Sequence, residues 1–294
     1  AASRADVAGD VLVVGDLLVD VVAVVHGPLQ RGSDTPAQVR VSGGGSAANT
    51  ACWLAAVGAP ARLVAAVGDD AAGATARAEL AAAGVTFVGE IRPGDATGTC
   101  VVLVDPTGER TMLPDRAAND RLGPPAVEAA LADRPAWLHL SGYTLLDTGS
   151  RPAALTALAS ARAVGVPVSV DASSAAPLRA VGADAFLSWV DGVRVLFAND
   201  DELDALGGVE ACLGRVEVVV AKHGPAGVSW CIAHARHDEP ALPAEVVDTV
   251  GAGDALDAGV IAALLADATP AEALRAGTAL AAQAVARRGA RPPR

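Results

Sequence analysis

Asp248-Thr249-Val250-Gly251-Ala252-Gly253-Asp254 is the stretch on which both the fold and the chemistry of this chain turn. Two glycines open a long apolar run from about 252 to 266, the pattern of a tight turn feeding a helix. Gly251 and Gly253 have no Cβ, so backbone N–H groups can face a ligand, and the positive end of the helix dipole adds to them. A phosphate fits such a turn. Asp254 then stands out, because a carboxylate beside a phosphate is repulsive unless it accepts a proton from an attacking hydroxyl. The competing account is an Asp that caps the helix and does no chemistry. Two other phosphate motifs are absent: a P-loop needs Lys after its last Gly, yet the only lysine, Lys222, follows Ala221, and a dinucleotide fingerprint would need Gly at 256, which is Leu256.

Outward from this turn, short apolar runs alternate with Ala/Leu-rich helical stretches for most of the chain, the pattern of a parallel sheet covered by helices on both faces. Strands are expected near 11–14, 63–66, 137–140, 166–170, 193–197 and 216–220. Open sheets of this kind bind ligands beyond the carboxyl ends of their strands, which gives weight to residues just after each run. Two segments break the rhythm, 21–42 and 97–114. The second holds Asp105-Pro106-Thr107-Gly108 between two strand-like runs, a type I hairpin turn. Together they predict a small sheet that acts as a lid over the site, the alternative being an edge hairpin with a structural or dimer role.

With 294 residues, 52% of them apolar, the chain can cover both faces of such a sheet, and we expect one α/β domain over 1–294 with the lid inserted. A formal charge of −12 argues against a general nucleic-acid or membrane surface, so the expected partner is a small molecule and any anion must be handled by local features. Cys52, Cys100, Cys212 and Cys231 lie far apart with no C-x-x-C spacing, which suggests neither a disulfide framework nor a zinc site. No uninterrupted apolar run reaches the about 18 residues of a membrane helix. A cytoplasmic protein is expected. His234 and His237 fall in a polar stretch with no third ligand nearby and are read as a solvated loop.

Further residues sit where chemistry is expected. Asp16 and Asp20 follow the first strand, and carboxylates at a ligand edge suit sugar hydroxyls. Gly43-Gly44-Gly45-Ser46-Ala47-Ala48-Asn49 is a second glycine turn opening a helix, with Asn49 offering a donor and an acceptor. Asn199-Asp200-Asp201-Glu202 and Lys222-His223-Gly224-Pro225-Ala226-Gly227 each follow a strand.

In this order, these pieces resemble the ribokinase-like (PfkB) family of carbohydrate and nucleoside kinases over almost the whole chain. The resemblance implies an ATP-dependent kinase that uses Mg²⁺, with Asp254 as catalytic base and the N–H groups of Gly251, Ala252 and Gly253 as anion hole. It also implies an acceptor pocket in which Asp20 is the sugar-binding Asp, with Gly44, Gly45 and Asn49, Asp16 being the other candidate carboxylate. Asn199, Glu202, Lys222, Gly224 and Gly227 match the nucleotide side, with Glu202 reaching Mg²⁺ through water. The segment 284–292, reading AVARRGARP, is similar to the ribokinase C-terminus, where Asp248 and carbonyls near Gly289 would hold K⁺. Three places depart from ribokinase itself: Ser46 stands for a Lys, Leu18 for an Asn and Ser141 for a Glu. The run Gly15 to Asp20 is nearer the adenosine kinase pattern, so a nucleoside acceptor is the alternative, although only 3% of residues are aromatic, with Trp53 a candidate π-face. A homodimer through the lid is the remaining expectation.

Overall fold

The structure, a computed structural model, describes residues 9–293. β1 (Val11–Val14) is four apolar residues, all buried, as a strand covered on both faces requires. The chain leaves the main sheet for β2 (Leu18–Val25) and β3 (Ala37–Gly44), then returns through the first helix, Ser46–Ala56, to β4 (Ala61–Val64). Three short strands follow, β5 (Ala66–Gly68), β6 (Val85–Phe87) and β7 (Glu90–Arg92). A second excursion makes β8 (Thr99–Val104) and β9 (Arg110–Asp115). The later α/β steps supply β10 (Trp137–Ser141), β11 (Val168–Asp171), β12 (Val195–Asn199) and β13 (Val218–Lys222). A hairpin, β14 (Val228–Ile232) and β15 (Ala235–Glu239), precedes the two closing helices, Ala252–Leu265 and Pro270–Val285.

The nine-stranded main sheet has the order β15-β14-β13-β12-β11-β10-β1-β4-β6, parallel throughout except at the β13–β14 and β14–β15 pairs. Leu12 and Val14 belong to one core and Val11 and Val13 to the other, so the two cores are the two faces of this sheet. Among the described residues no helix is long and apolar enough to cross a membrane.

The expected α/β sheet is present, with three differences. The run 63–66 is split at Ala65, whose carbonyl accepts from Glu90, so that the next residues pair with β7. The β14–β15 hairpin is not anticipated, because β15 is a charged and mostly exposed edge strand, and such strands read as loops. His237 therefore lies on a strand rather than in a loop.

The small sheet also forms, in the order β3-β2-β8-β9. It begins at Leu18, before the expected boundary at 21, because the apolar run of β2 is interrupted near its start by Asp20. Asp20 is consequently a residue of the lid, opposite Ser42 on β3 and Cys100 on β8. Leu18, Val22, Cys100 and Val102 pack as a small core on the covered face of this sheet.

Candidate active site

Gly251 caps the helix Ala252–Leu265 with a left-handed φ of 77°, and a Cβ there would overlap Ala290 of the C-terminal segment. Glycine is needed on both counts. The first-turn N–H groups of this helix have no carbonyl one turn below them, and that of Ala252 leans back to the Thr249 carbonyl at 3.4 Å. Asp254 lies in this turn. Its Oδ1 accepts from Ser46 Oγ at 2.8 Å and its Oδ2 from Asn49 Nδ2 at 2.9 Å. Ser46 and Asn49 are three residues apart and so share one face of the first helix, which packs against the helix carrying Asp254. Burial pushes the Asp254 carboxyl up to about 7, even though both hydrogen bonds pull it down. A carboxyl group titrating near neutrality is matched to proton abstraction at neutral pH.

The glycine triplet joins the lid's end to the start of the first helix. A side chain at Gly44 would overlap the Asp20 carboxyl, and one at Gly43 would overlap Arg291. Burial raises Asp20 to about 6, against the nearby charge of Arg291. Asp16 is placed differently: it is 2% exposed, and its Oδ1 accepts from Ala47 N at 3.3 Å, so it braces the start of the first helix, with Arg116 Nη1 3.9 Å away. Of the two carboxylates, Asp20 faces the glycine turn.

Arg291 was not among the expected site residues. Its Nε donates to Asn49 Oδ1 at 3.2 Å and its Nη2 to the Gly44 carbonyl at 2.8 Å, linking the C-terminal segment to the amide that holds Asp254. Ser46 was read only as a departure from a Lys. Neither role has a local signature, since each exists only through a partner more than 200 residues away.

Asn199 and Lys222 are register partners at the ends of β12 and β13. Asn199 and Glu202 form a reciprocal capping box: Asn199 N and Nδ2 each donate to Glu202 at 2.8 Å, and Glu202 N donates back to Asn199 Oδ1 at 2.9 Å. Burial lifts Glu202 to about 7. Gly227 bends the loop after Gly224 back beneath Glu239 and Pro240, where no Cβ fits. Lys222 begins this loop, but its side chain turns beneath the anion turn. There it pairs with Asp171, approaches Asp257 Oδ1 at 3.4 Å, and lies beside Gly253. Burial works against its charge, but Asp171, Asp257 and Glu202 outweigh that and hold it protonated.

Asp248 stands two residues before the turn's hydrophobic step, Val250, and binds it. Its Oδ1 accepts from Val250 N at 3.1 Å and from Arg110 Nη1 at 2.9 Å; its Oδ2 accepts from Gly289 N at 3.0 Å and from Arg40 Nη2 at 3.2 Å. Gly289 thus meets Asp248 through its N–H. Trp53, the candidate π-face, is 1% exposed and donates to the Ala290 carbonyl at 2.8 Å, so it is a core residue closed to any base.

Residues 8–294 match the family model described as pfkB family carbohydrate kinase. An ATP-dependent ribose-1-phosphate kinase of Halopiger xanaduensis is 37% identical over 259 residues, covering 86% of this chain and 83% of that protein. A fructokinase of Klebsiella pneumoniae is 30% identical over 279 residues, covering 89% and 86% of the two chains. Among solved structures, adenosine kinase from Sinorhizobium meliloti aligns with a TM-score of 0.88 at 24% identity, over 97% of this chain and 96% of that one. The last likeness is one of fold, and the fold is the ribokinase-like one.

Proposed function

The chain belongs to the pfkB family of carbohydrate kinases, and on that premise we propose that it transfers the γ-phosphoryl group of ATP to a hydroxymethyl group of a sugar or related polyol, within one ribokinase-like domain. Asp254 takes the hydroxyl proton as the new O–P bond forms and the bond to the β-phosphate oxygen breaks. The turn Gly251 to Gly253 receives the phosphoryl oxygens, with the Lys222 charge beneath it. Asp20, Gly44, Gly45 and Asn49 hold the acceptor, and closing the lid excludes water. The observation that carries this reading is Asp254 itself, half-buried, bonded to the first helix through both oxygens, and placed in the first turn of a helix that opens on an anion site.

On the nucleotide side we assign Asn199, Glu202, Gly224 and Gly227. When bound, Mg²⁺ would neutralise charge on the nucleotide phosphates. Both Glu202 oxygens already accept from Asn199, leaving lone pairs that suit a water of such an ion rather than the ion itself. Among the described residues no three His, Cys, Asp or Glu side chains converge as a metal cage, which fits an ion held mainly by phosphates and waters.

We further read the acceptor as a sugar phosphate. Two guanidinium groups lie on the acceptor side, Arg116 near Asp16 and Arg291 at Asn49 and Gly44, and the Halopiger relative is named for ribose 1-phosphate. A nucleoside acceptor is less well supported, because Trp53 is buried and offers no stacking face. Four free, buried cysteines support a reducing, cytoplasmic setting. Ribose, ribose 1-phosphate, fructose and adenosine, each offered with ATP and Mg²⁺ while ADP release is followed, test the reading. The phosphorylated sugar is expected to be turned over best. No ADP release above the acceptor-free rate with any of them would leave a nucleotide-binding regulator in place of a kinase.

The lid's outer face carries Val39, Val41 and Leu113, which are 63%, 67% and 53% exposed, beside the part-exposed Val21, Val101 and Leu103. An apolar sheet face with no cover supports a homodimer formed through the lids.

A further inference from the structure

We propose that Arg40 and Arg110 take the place at Asp248 of the monovalent cation expected there, so that closing the lid, rather than binding K⁺, completes the phosphate-binding turn. The two arginines come from β3 and β9, the opposite edges of the four-stranded lid. Arg40 pairs across the sheet with Val22, and Arg110 with Val104, on the face that also carries Asp20. Three strand spacings, about 14 Å, separate those edges. Both side chains nevertheless converge on one carboxylate, at 3.2 and 2.9 Å, and Arg110 also reaches the Thr249 hydroxyl.

That carboxylate is the one that grips the turn. It accepts from Val250 N at 3.1 Å, next to Gly251, and from Gly289 N at 3.0 Å, next to the Ala290 that packs on Gly251. Asp248 therefore joins three parts of the molecule: the two edges of the lid, the loop entering the anion turn, and the C-terminal segment behind it. With the lid open it would keep only the two backbone donors, and the turn would lose the cations that fix its position.

The residues do not fit K⁺. Such an ion takes oxygen ligands, whereas Asp248 already accepts four donors and Gly289 presents an N–H. Two guanidinium groups on the same carboxylate repel a third positive charge. A cavity of about 710 Å³ opens beside them, and Arg288 in its lining makes the position no kinder to a cation. Guanidinium groups stay charged at any working pH and match the forked geometry of a carboxylate. Arg40 and Arg110 are thus positioning residues, acting through Asp248 on the turn.

The test compares wild type, the Arg40→Ala/Arg110→Ala double variant and the Arg40→Lys/Arg110→Lys double variant in KCl and in tetramethylammonium chloride at equal ionic strength. kcat, KM and melting temperature are read in each salt. Wild type and the lysine pair are expected to show kcat equal in the two salts within about two-fold, with no K⁺-specific rise in melting temperature. The alanine pair is expected to lose about ten-fold or more in kcat in the organic cation, and to recover rate and gain melting temperature when K⁺ is supplied. Such rescue would not follow from a merely structural role. A wild-type kcat that needs K⁺ overturns the proposal, and so does an alanine pair that matches wild type in both salts. If the alanine pair does not fold, wild type and the lysine pair still decide. The rate readout rests on the kinase reading but the melting readout does not, so absence of turnover in every protein would sink that reading while the thermal data judged this one.

Discussion

Asn49 Nδ2 lies 2.9 Å from Asp254 Oδ2, so an amide on the first helix donates to a carboxylate on the penultimate one. Together with Ser46 Oγ at 2.8 Å, it favours the charged form of a group that burial alone would keep protonated. Among the other charges near Asp254, Asp171 raises its pKa and Lys222 lowers it, and Asp257 is a further neighbouring carboxyl group. The base is active when ionised, so kcat/KM is expected to rise with pH through about 7 and then level off. Removing a donor to a carboxylate destabilises the anion, so Ser46→Ala should move that midpoint to higher pH. A midpoint that stayed in place, or moved down, would remove Asp254 from the role of base.

Chemistry and recognition separate in a second pair of variants. Asp254→Asn keeps shape and most binding but cannot accept the proton, so kcat is expected to fall by roughly 10² to 10⁴ with little change in KM for the acceptor. Asp20→Asn is expected to weaken the acceptor by on the order of 1.5 to 3 kcal/mol while KM for ATP stays nearly constant. Steady-state kinetics on both substrates distinguishes the two. Near-wild-type kcat in Asp254→Asn contradicts the mechanism, and an unchanged acceptor KM in Asp20→Asn contradicts the pocket.

Arg291 links the C-terminal segment to Asn49 at 3.2 Å and to the Gly44 carbonyl at 2.8 Å. Arg291→Ala frees the Asn49 amide to rotate, and kcat is expected to drop by about ten-fold, with Arg291→Lys recovering only part because its single nitrogen does not reproduce the two donor positions, Nε and Nη2, that the guanidinium holds on the two acceptors. Loss of acceptor affinity should be steeper for a phosphorylated sugar than for its parent. Equal losses for the two would mean that Arg291 positions Asn49 but takes no part in holding an anionic acceptor.

Val41 is 67% exposed on the lid's outer face. Val41→Glu should convert a lid-to-lid dimer to monomer in sedimentation, without touching the Asp20 row on the opposite face of the same sheet. If wild type already sediments as a monomer, the outer face is not a dimer surface.

The short-range chemistry was legible in the residues. Gly251 needs φ above zero, a helix must follow it, and Asp254 falls in its first turn; each depends on a few neighbouring residues. The buried strands were equally plain: β1 is an unbroken apolar run, β12 and β13 are apolar up to their last residue, and β10 and β11 are apolar apart from His139 and Ser169 and their terminal Ser141 and Asp171. The charged edge strand β15 was not, because it reads as a loop, nor was the start of β2, because Asp20 reads as a residue following the first strand rather than one within the next.

What only the tertiary structure decided is which partners these residues meet. Asp20 and Asp16 look alike in sequence, but one is carried on the lid toward Gly44 while the other is spent on Ala47 N. Lys222 begins the loop that the sequence assigned to the nucleotide, yet its side chain turns toward Asp171 beneath the anion turn. Asp248 was read from the resemblance as a candidate K⁺ ligand, and in the structure two arginines from opposite edges of the lid pair with it. Backbone conformation and burial pattern are set locally, so the sequence determines them; a carboxylate's role depends on which charges fold around it, and those arrive from 138 and 208 residues away.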